Sequence, residues 1–386
     1  MPQFTEKQKA IQEKSRRIAE EVITPIREYY DRHETGEFPW EIVEALRDEN
    51  LFGVYIPEEY GGYGGGITEM AIVTEELSRV CGGIALAFAA TGLGAMPILL
   101  YGNEEQKKKY LSRVAKAESL AAFALTEPEA GSDAGGVRTR AVKDGDHYIL
   151  NGTKQWITNG GEAKLYSVIA VTDPTRGPRG SSAFIVEDGT PGFSYGKKED
   201  KMGIRGSATR ELIFEDCRVP AENLLGREGL GFVVAMKTFD MSRPGVASQA
   251  LGIAQGALDA AIKFAHEKTR AGKPIMANQG IEFMFADMAT KIEAARALIY
   301  DIAAQVDAGE KNISKISAMA KAFASDVAME VTSNIVEIFG GDGYDRRYPF
   351  EKMMRDAKIT QIYEGTNQIQ RVVIGTALIR EAAKKK

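Results

Sequence analysis

Between residues 119 and 226 short segments alternate apolar and polar side chains or run apolar between Gly and Pro turns, while on both sides of that stretch apolar side chains recur at intervals of three and four. A period of two puts alternate side chains on opposite faces of a strand, and a period near 3.6 draws one apolar stripe along a helix. The chain therefore reads as helical, then β, then helical. A length of 386 residues exceeds what one hydrophobic core usually organises, so the two switches of period serve as boundaries. They predict a multidomain α+β architecture: an N-terminal helical domain over 1–118, a central β-sheet or barrel domain over 119–226, and a C-terminal four-helix bundle over 227–386.

Local signals fill in this outline. Thr5 with Gln8, and Asn103 with Gln106, have the spacing of a capping box, and Pro39 suits the first position of a helix. Asn151-Gly152, between "HYIL" and "TKQWIT", is the pair favoured in a two-residue hairpin and places Trp156 on a hairpin arm. Segments 229–270, 277–308, 311–339 and 366–383 carry the bundle helices. "YGGYGGG", residues 60–66, lacks a preceding strand and a Lys-Ser/Thr ending, so it is expected to be a flexible loop and not a phosphate cradle. Residues 80–100 carry no charge over about the length of a membrane span, but Gly92, Gly94 and Pro97 weaken and interrupt the run. A buried, bent helix bordering a site is the expectation there.

The inventory of side chains excludes several chemistries. A net charge of −5 gives no footprint for nucleic acid or an anionic membrane. The first residues lack the apolar region of a signal peptide, and Cys81 and Cys217 suit a reducing compartment, so a cytoplasmic location is expected. His33, His147 and His266 stand in no metal or nucleophile motif, and no GxGxxG follows a strand. Metal sites, hydrolytic triads and a nicotinamide fold are disfavoured.

What remains are three short stretches. "LTEPEAGSD", residues 125–133, offers backbone N–H groups and a hydroxyl to a phosphate or pyrophosphate, although a solvated turn would read the same way. "WITNGG", residues 156–161, offers the broad face of Trp156, which could equally be a core anchor. "YEGTNQ", residues 363–368, joins Glu364 to hydroxyl and amide groups at the start of a helix. A carboxylate covered by apolar walls has a raised pKa and can remove a weakly acidic proton, which makes Glu364 a candidate general base as well as an ordinary helix-start acid.

Taken together, "ALTEPEAGSDAGG", "NGTKQWITNGG", "KMGIRGSATRELIFEDCRVPAENLLG", "EIFGGDGY" and "MRDAKITQIYEGTNQIQR" resemble the acyl-CoA dehydrogenase flavoproteins, particularly the butyryl, short-chain and medium-chain members, over essentially the whole chain. The resemblance implies FAD as cofactor and Glu364 as the base that takes the acyl α-proton while the β-hydrogen leaves as hydride to flavin N5. It also implies that the Glu364 backbone N–H helps bind the thioester oxygen. By the same matching, Phe123, Leu125, Thr126, Gly131 and Ser132 cradle the flavin, and Trp156, Ile157 and Thr158 run along its ring. Thr366 and Gln368 are implied as further flavin contacts. Ser132, Asp240, Arg243, Tyr363 and Gly365 are implied as acyl-CoA contacts. Gln279, Glu337, Gly340 and Gly341 would reach the FAD of a neighbouring subunit in a homotetramer, and an electron-transferring flavoprotein would be the electron acceptor.

Two stretches depart from the family pattern. "EKTRAGKPI" carries Lys268 and Ala271 where Arg and Phe are usual, so pyrophosphate recognition would fall to Lys268 with Arg270. Glu337 replaces Gln, and an acid there is expected to face Lys268 or Arg270. Between Ala87 and Leu93 the small residues Ala89, Ala90 and Gly92 leave room for a short, branched or alicyclic acyl group; a short or medium straight chain is the expectation, with an alicyclic acyl-CoA as the alternative. An acyl-CoA oxidase and a non-catalytic CoA-binding protein are the readings of other classes.

Overall fold

Thr5 and Asn103 open helices as their spacing predicts. The Thr5 hydroxyl accepts from Gln8 N at 3.2 Å and the Gln8 side chain accepts from Thr5 N at 3.0 Å, and Asn103 and Gln106 repeat the exchange at 2.8 and 2.9 Å. The computed structural model describes residues 3–32, 37–270 and 272–384, so His33 and Ala271 lie outside the described residues. The N-terminal helices are α1 (Glu6–Ile18), α2 (Thr24–Arg32), α3 (Trp40–Asp48), α4 (Ile67–Ser78), α5 (Leu86–Tyr101) and α6 (Glu104–Ala115), with a π-helical turn joining α1 to α2. Pro39 takes the N-cap of α3, one residue before its expected place.

Two expectations for this region meet the structure differently. The charge-free stretch becomes α5, with Pro97 inside it and most of its residues buried. No helix among the described residues is long and apolar enough to cross a membrane. The glycine-rich stretch 60–66 is not a slack loop: Tyr63 N donates to Gly53 O at 2.8 Å and Gly64 N to Ile56 O at 2.9 Å. A Cβ on Gly62 would lie 2.0 Å from Ile56 O, so glycine there serves close backbone approach.

The central strands are β1 (Ala121–Ala124), β2 (Arg140–Asp144), β3 (His147–Thr158), β4 (Leu165–Val171), β5 (Ser181–Glu187), β6 (Phe193–Lys198), β7 (Thr209–Pro220) and β8 (Leu224–Leu225). They form one sheet in the order β6-β7-β3-β2-β4-β5-β8, with β1 pairing parallel to β4. The hairpin turn lies at Gly145, φ 61°, and not at Asn151-Gly152, because β2 pairs Asp144 with His147 and Arg140 with Asn151. Gly152 is instead a bulge inside β3, with φ 146° and a virtual Cβ only 2.7 Å from the Thr139 hydroxyl. A second irregularity between Lys154 and Ile157 turns Trp156 to φ 62°.

The C-terminal part comprises α7 (Gly231–Glu267), a ribbon of β9 (Thr269–Arg270) and β10 (Lys273–Pro274), α8 (Gln279–Asp307), α9 (Ser314–Phe339), a single turn α10 (Gly341–Tyr344), α11 (Phe350–Thr360) and α12 (Asn367–Lys384). The four long helices coincide with the expected segments, and α11 is additional. It forms because Phe350, Met353 and Ala357 lie on one face and bury together. Phe350 meets Phe339 at 4.7 Å and Phe264 at 5.4 Å between ring centroids, joining α11 to α9 and α7. Its polar side is fixed as well: Asp356 pairs with Lys352 at 2.6 Å and accepts from Ile204 N at 2.6 Å, and Arg355 holds Asp31 of α2 at 2.6 Å. These contacts set the position of the segment that follows α11.

Candidate active site

The chain between α11 and α12 is a short reversal. Glu364 adopts φ 49° and Gly365 φ 90°, conformations that L side chains avoid and that cost about 1–3 kcal/mol for a non-glycine residue. Two side chains hold it through three hydrogen bonds. Gln370 Nε2 donates to the carbonyls of Glu364 at 3.1 Å and Gly365 at 2.9 Å, and Lys321 Nζ donates to Gly365 O at 2.8 Å. A Cβ on Gly365 would lie 2.7 Å from Gln370 Nε2, so this position requires glycine. The N–H of Glu364 has no acceptor among the described residues.

The reversal aims the Glu364 carboxyl at a cavity of about 110 Å³. On one side stand Leu86, Ala89, Ala90 and Leu93 of α5 with Met70 of α4, and on another Phe239, Ser242, Gly245, Val246 and Gln249 of α7. The sheet contributes Phe123, Leu125, Thr126, Trp156, Ile157 and Thr158, and Tyr363 completes the wall. Ser242 Oγ donates to Glu364 Oε2 at 2.5 Å. Burial raises the Glu364 pKa, and the Ser242 hydrogen bond and the charges of Arg243 and Lys321 oppose the shift without cancelling it. A part-buried carboxyl with a raised pKa, facing apolar walls, is suited to proton abstraction.

Lys321 is fully buried in α9, donates also to Asn367 Oδ1 at 3.0 Å, and has its pKa pulled down to about 7 by burial. On the sheet side a second buried lysine does comparable work. Lys154 Nζ donates to Glu127 Oε1 at 2.7 Å and to Leu125 O at 2.9 Å, and Glu127 also accepts from Arg138 N at 2.6 Å and Thr139 N at 2.9 Å. These bonds fix the loop after β1 against β3. Burial pulls the Lys154 pKa to about 8, with Glu127 opposing the shift.

The residues beside that loop fit a flavin nucleotide. Trp156 stands 53% exposed at the cavity and presents a large apolar face there. Among the described residues the hydroxyls of Thr126 and Thr158 and the N–H groups of Gly131 and Ser132 meet no hydrogen-bond partner, so a set of donors surrounds an aromatic platform. Asp240 and Arg243 are buried one turn apart on α7 and pair at 3.2 Å, Asp240 also accepting from Ser314.

Of the residues singled out from the sequence, Phe123, Leu125, Thr126, Trp156, Ile157, Thr158, Tyr363 and Glu364 converge on the cavity. Gly131, Ser132, Asp240, Arg243, Gly365, Thr366 and Gln368 flank it in sequence without lining it, and Thr366 Oγ1 caps α12 by accepting from Ile369 N at 3.2 Å. Lys268, Arg270, Gln279, Glu337, Gly340 and Gly341 lie around the β9–β10 ribbon and the adjoining ends of α7, α8 and α9. The expected pairing of Glu337 is not formed among the described residues. Gly340, φ 57°, reverses the chain after α9, and Asp342 meets Lys268 at 3.7 Å and Arg270 at 3.9 Å in its place. Arg270 further donates to Phe339 O at 2.5 Å.

Sequence reasoning did not find Lys321, Gln249, Met70 or the bond from Ser242. A lone lysine inside the apolar run "SAMAKAFASDVAM" was the available sign for Lys321. The serine of "FDMSRPG" lay between two residues already marked.

Comparison with known proteins agrees with this geometry. The acyl-CoA dehydrogenase N-terminal, middle and C-terminal domain families match residues 5–118, 122–217 and 229–379. The chain is 51% identical over 365 residues to the probable acyl-CoA dehydrogenase FadE25 of Mycobacterium tuberculosis, covering 95% of this chain and 93% of that one. It is 49% identical to an acryloyl-CoA reductase (NADH) of Anaerotignum propionicum, covering 98% and 95%. Among solved structures, butyryl-CoA dehydrogenase of Megasphaera elsdenii superposes with TM-score 0.95 at 46% identity, covering 98% of this chain and 100% of that chain. A chain from a structure of the electron transferring flavoprotein of Acidaminococcus fermentans does so with TM-score 0.95 at 50% identity and the same coverage. On this combination of fold, convergent site residues and likeness throughout its length, the chain belongs to the acyl-CoA dehydrogenase family of oxidoreductases.

Proposed function

We propose that the chain removes the α-proton of a short acyl-CoA thioester through Glu364, giving the 2,3-enoyl-CoA. The observation that carries this is the Glu364 carboxyl, its pKa raised by burial, facing an apolar cavity that Trp156 also lines. FAD, when bound, supplies the acceptor for the β-hydrogen and its electron pair. Thr126, Thr158 and the N–H groups of Gly131 and Ser132 would hold it. The free N–H of Glu364 is available to the thioester oxygen, where it would stabilise enolate-like charge as the proton leaves. Ser242 keeps one carboxylate oxygen in place during that transfer. The Asp240–Arg243 pair on α7 would contact the CoA moiety, and an electron-transferring flavoprotein would collect the electrons.

The small cavity favours short acyl groups over medium ones, with compact alicyclic groups as the alternative. The likeness to an acryloyl-CoA reductase supports a second reading in which the physiological direction is reversed and protonated Glu364 returns the proton to the α-carbon. A homotetramer is the proposed assembly, because α12 leaves Val372, Leu378 and Ile379 exposed.

The test is anaerobic. Adding butyryl-CoA to the FAD-loaded protein should bleach the flavin, and Glu364→Gln should abolish bleaching while FAD stays bound. Bleaching at the normal rate in that variant would remove Glu364 from its role.

A further inference from the structure

We infer that Met70 is a movable wall of the cavity, seated between Gly92 of α5 and Gly245 of α7, and that its position sets the length of acyl chain admitted. This rests on the acyl-CoA reading above. Met70 lines the cavity and is 2% exposed. A Cβ added at Gly245 would lie 2.9 Å from Met70 Cε, and one added at Gly92 would lie 3.2 Å from its sulfur and 3.4 Å from Cε. Two glycines on two facing helices thus leave a slot, and the thioether fills it.

The neighbouring polar wall is held differently. Gln249 Nε2 donates to Gly82 O at 2.7 Å and its carbonyl accepts from the Tyr363 hydroxyl, so that pair is tied at both ends. The Met70 side chain makes only van der Waals contacts, and an unbranched thioether with three rotatable bonds changes shape at little cost. Position along α7 gives the order of events. Gly245 lies three residues beyond Ser242, about 4.5 Å along the axis, and Gln249 seven residues beyond it, about 10 Å. An acyl chain extending from Glu364 along α7 therefore reaches Met70 before Gln249. With Met70 in its slot the wall selects short chains, and with Met70 withdrawn the run to Gln249 opens.

The experiment measures kcat/KM for butyryl-CoA and octanoyl-CoA with the FAD-loaded protein. Met70→Ala should raise the octanoyl-to-butyryl ratio at least tenfold, the scale on which an apolar pocket discriminates methylenes. Gly245→Ala, which drives Met70 into the cavity, should lower that ratio. Met70→Leu keeps the volume but cannot thread the slot, and it should also lower the ratio, which keeps the test readable if the alanine variant does not fold. Ratios within twofold of wild type in the folded variants would overturn the role of Met70. Failure of any acyl-CoA to bleach the wild-type flavin would overturn the reaction assignment instead.

Discussion

The hydroxyl of Ser242 donates to Oε2 of Glu364 across 2.5 Å, joining the middle of α7 to the reversal before α12. The bond favours the ionised carboxyl, against the burial that disfavours it. Ser242→Ala should therefore raise the Glu364 pKa further and move the acid limb of the kcat/KM profile to higher pH. Loss of a hydrogen bond to a charged group is worth about 1.5–3 kcal/mol, so kcat/KM below the limb should fall by roughly tenfold or more. A pH–rate profile of the variant against wild type checks this.

Glu364→Gln removes the proposed base and preserves the shape of the side chain. A positioned general base contributes about 10²–10⁴ in rate. The reduction rate in anaerobic stopped flow should fall by at least that range, with the flavin absorbance of the oxidised protein retained.

Lys321 combines a charge with a structural task. Its ammonium lowers the Glu364 pKa and donates to the Gly365 carbonyl, so Lys321→Met should shift the acid limb upward and destabilise the fold by about 1–3 kcal/mol through unsatisfied acceptors. In the folded protein the amine gives up its proton at about 7, whereas in an unfolded chain it does so at about 10.4. The unfolded state thus binds more protons in that window, and this residue makes stability rise with pH across it. Urea unfolding at several pH values should show that rise in wild type and its loss in Lys321→Met.

The buried pair of Lys154 and Glu127 should be sensitive to removal of one partner. Lys154→Met strands a carboxylate that three donors now share, and breaking a buried pair costs about 3–5 kcal/mol. The loop after β1 should loosen, with a lower Tm and weaker FAD retention after gel filtration. Asp342→Asn touches exposed cations at 3.7 and 3.9 Å and should change stability by less than about 1 kcal/mol.

Assembly gives a separate measurement. Wild-type protein should run as a tetramer in light scattering, and Ile379→Glu, which puts a charge on a side chain 72% exposed in the single chain, should yield smaller species.

Much of this was legible in the amino-acid order because the signals are local. Periods of two and near four located the sheet and the long helices, and the side chains of Thr5 and Asn103 announced their caps. Asn151-Gly152 misled because positive φ at Gly152 serves a bulge against Thr139, a contact no local rule contains. The missing α11 had its apolar spacing in view at Phe350, Met353 and Ala357, but its existence depends on Phe264 and Phe339, far away in sequence. For the site, Glu364 was readable from its neighbours and from resemblance. The bonds from Ser242, Gln370 and Lys321 needed three helices in place. The expected partner of Glu337 failed for the same kind of reason, since the reversal at Gly340 decides which acid the cations meet.

Gln370 belongs to the first turn of α12, and its one carboxamide grips the carbonyls of Glu364, the proposed base, and of Gly365. The base and that helix are consequently a single mechanical unit. Whatever settles on the outward apolar residues of α12 restrains the carboxylate as well, so quaternary contact and turnover should be coupled, and a dissociated subunit should be a poorer catalyst even with its cofactor in place.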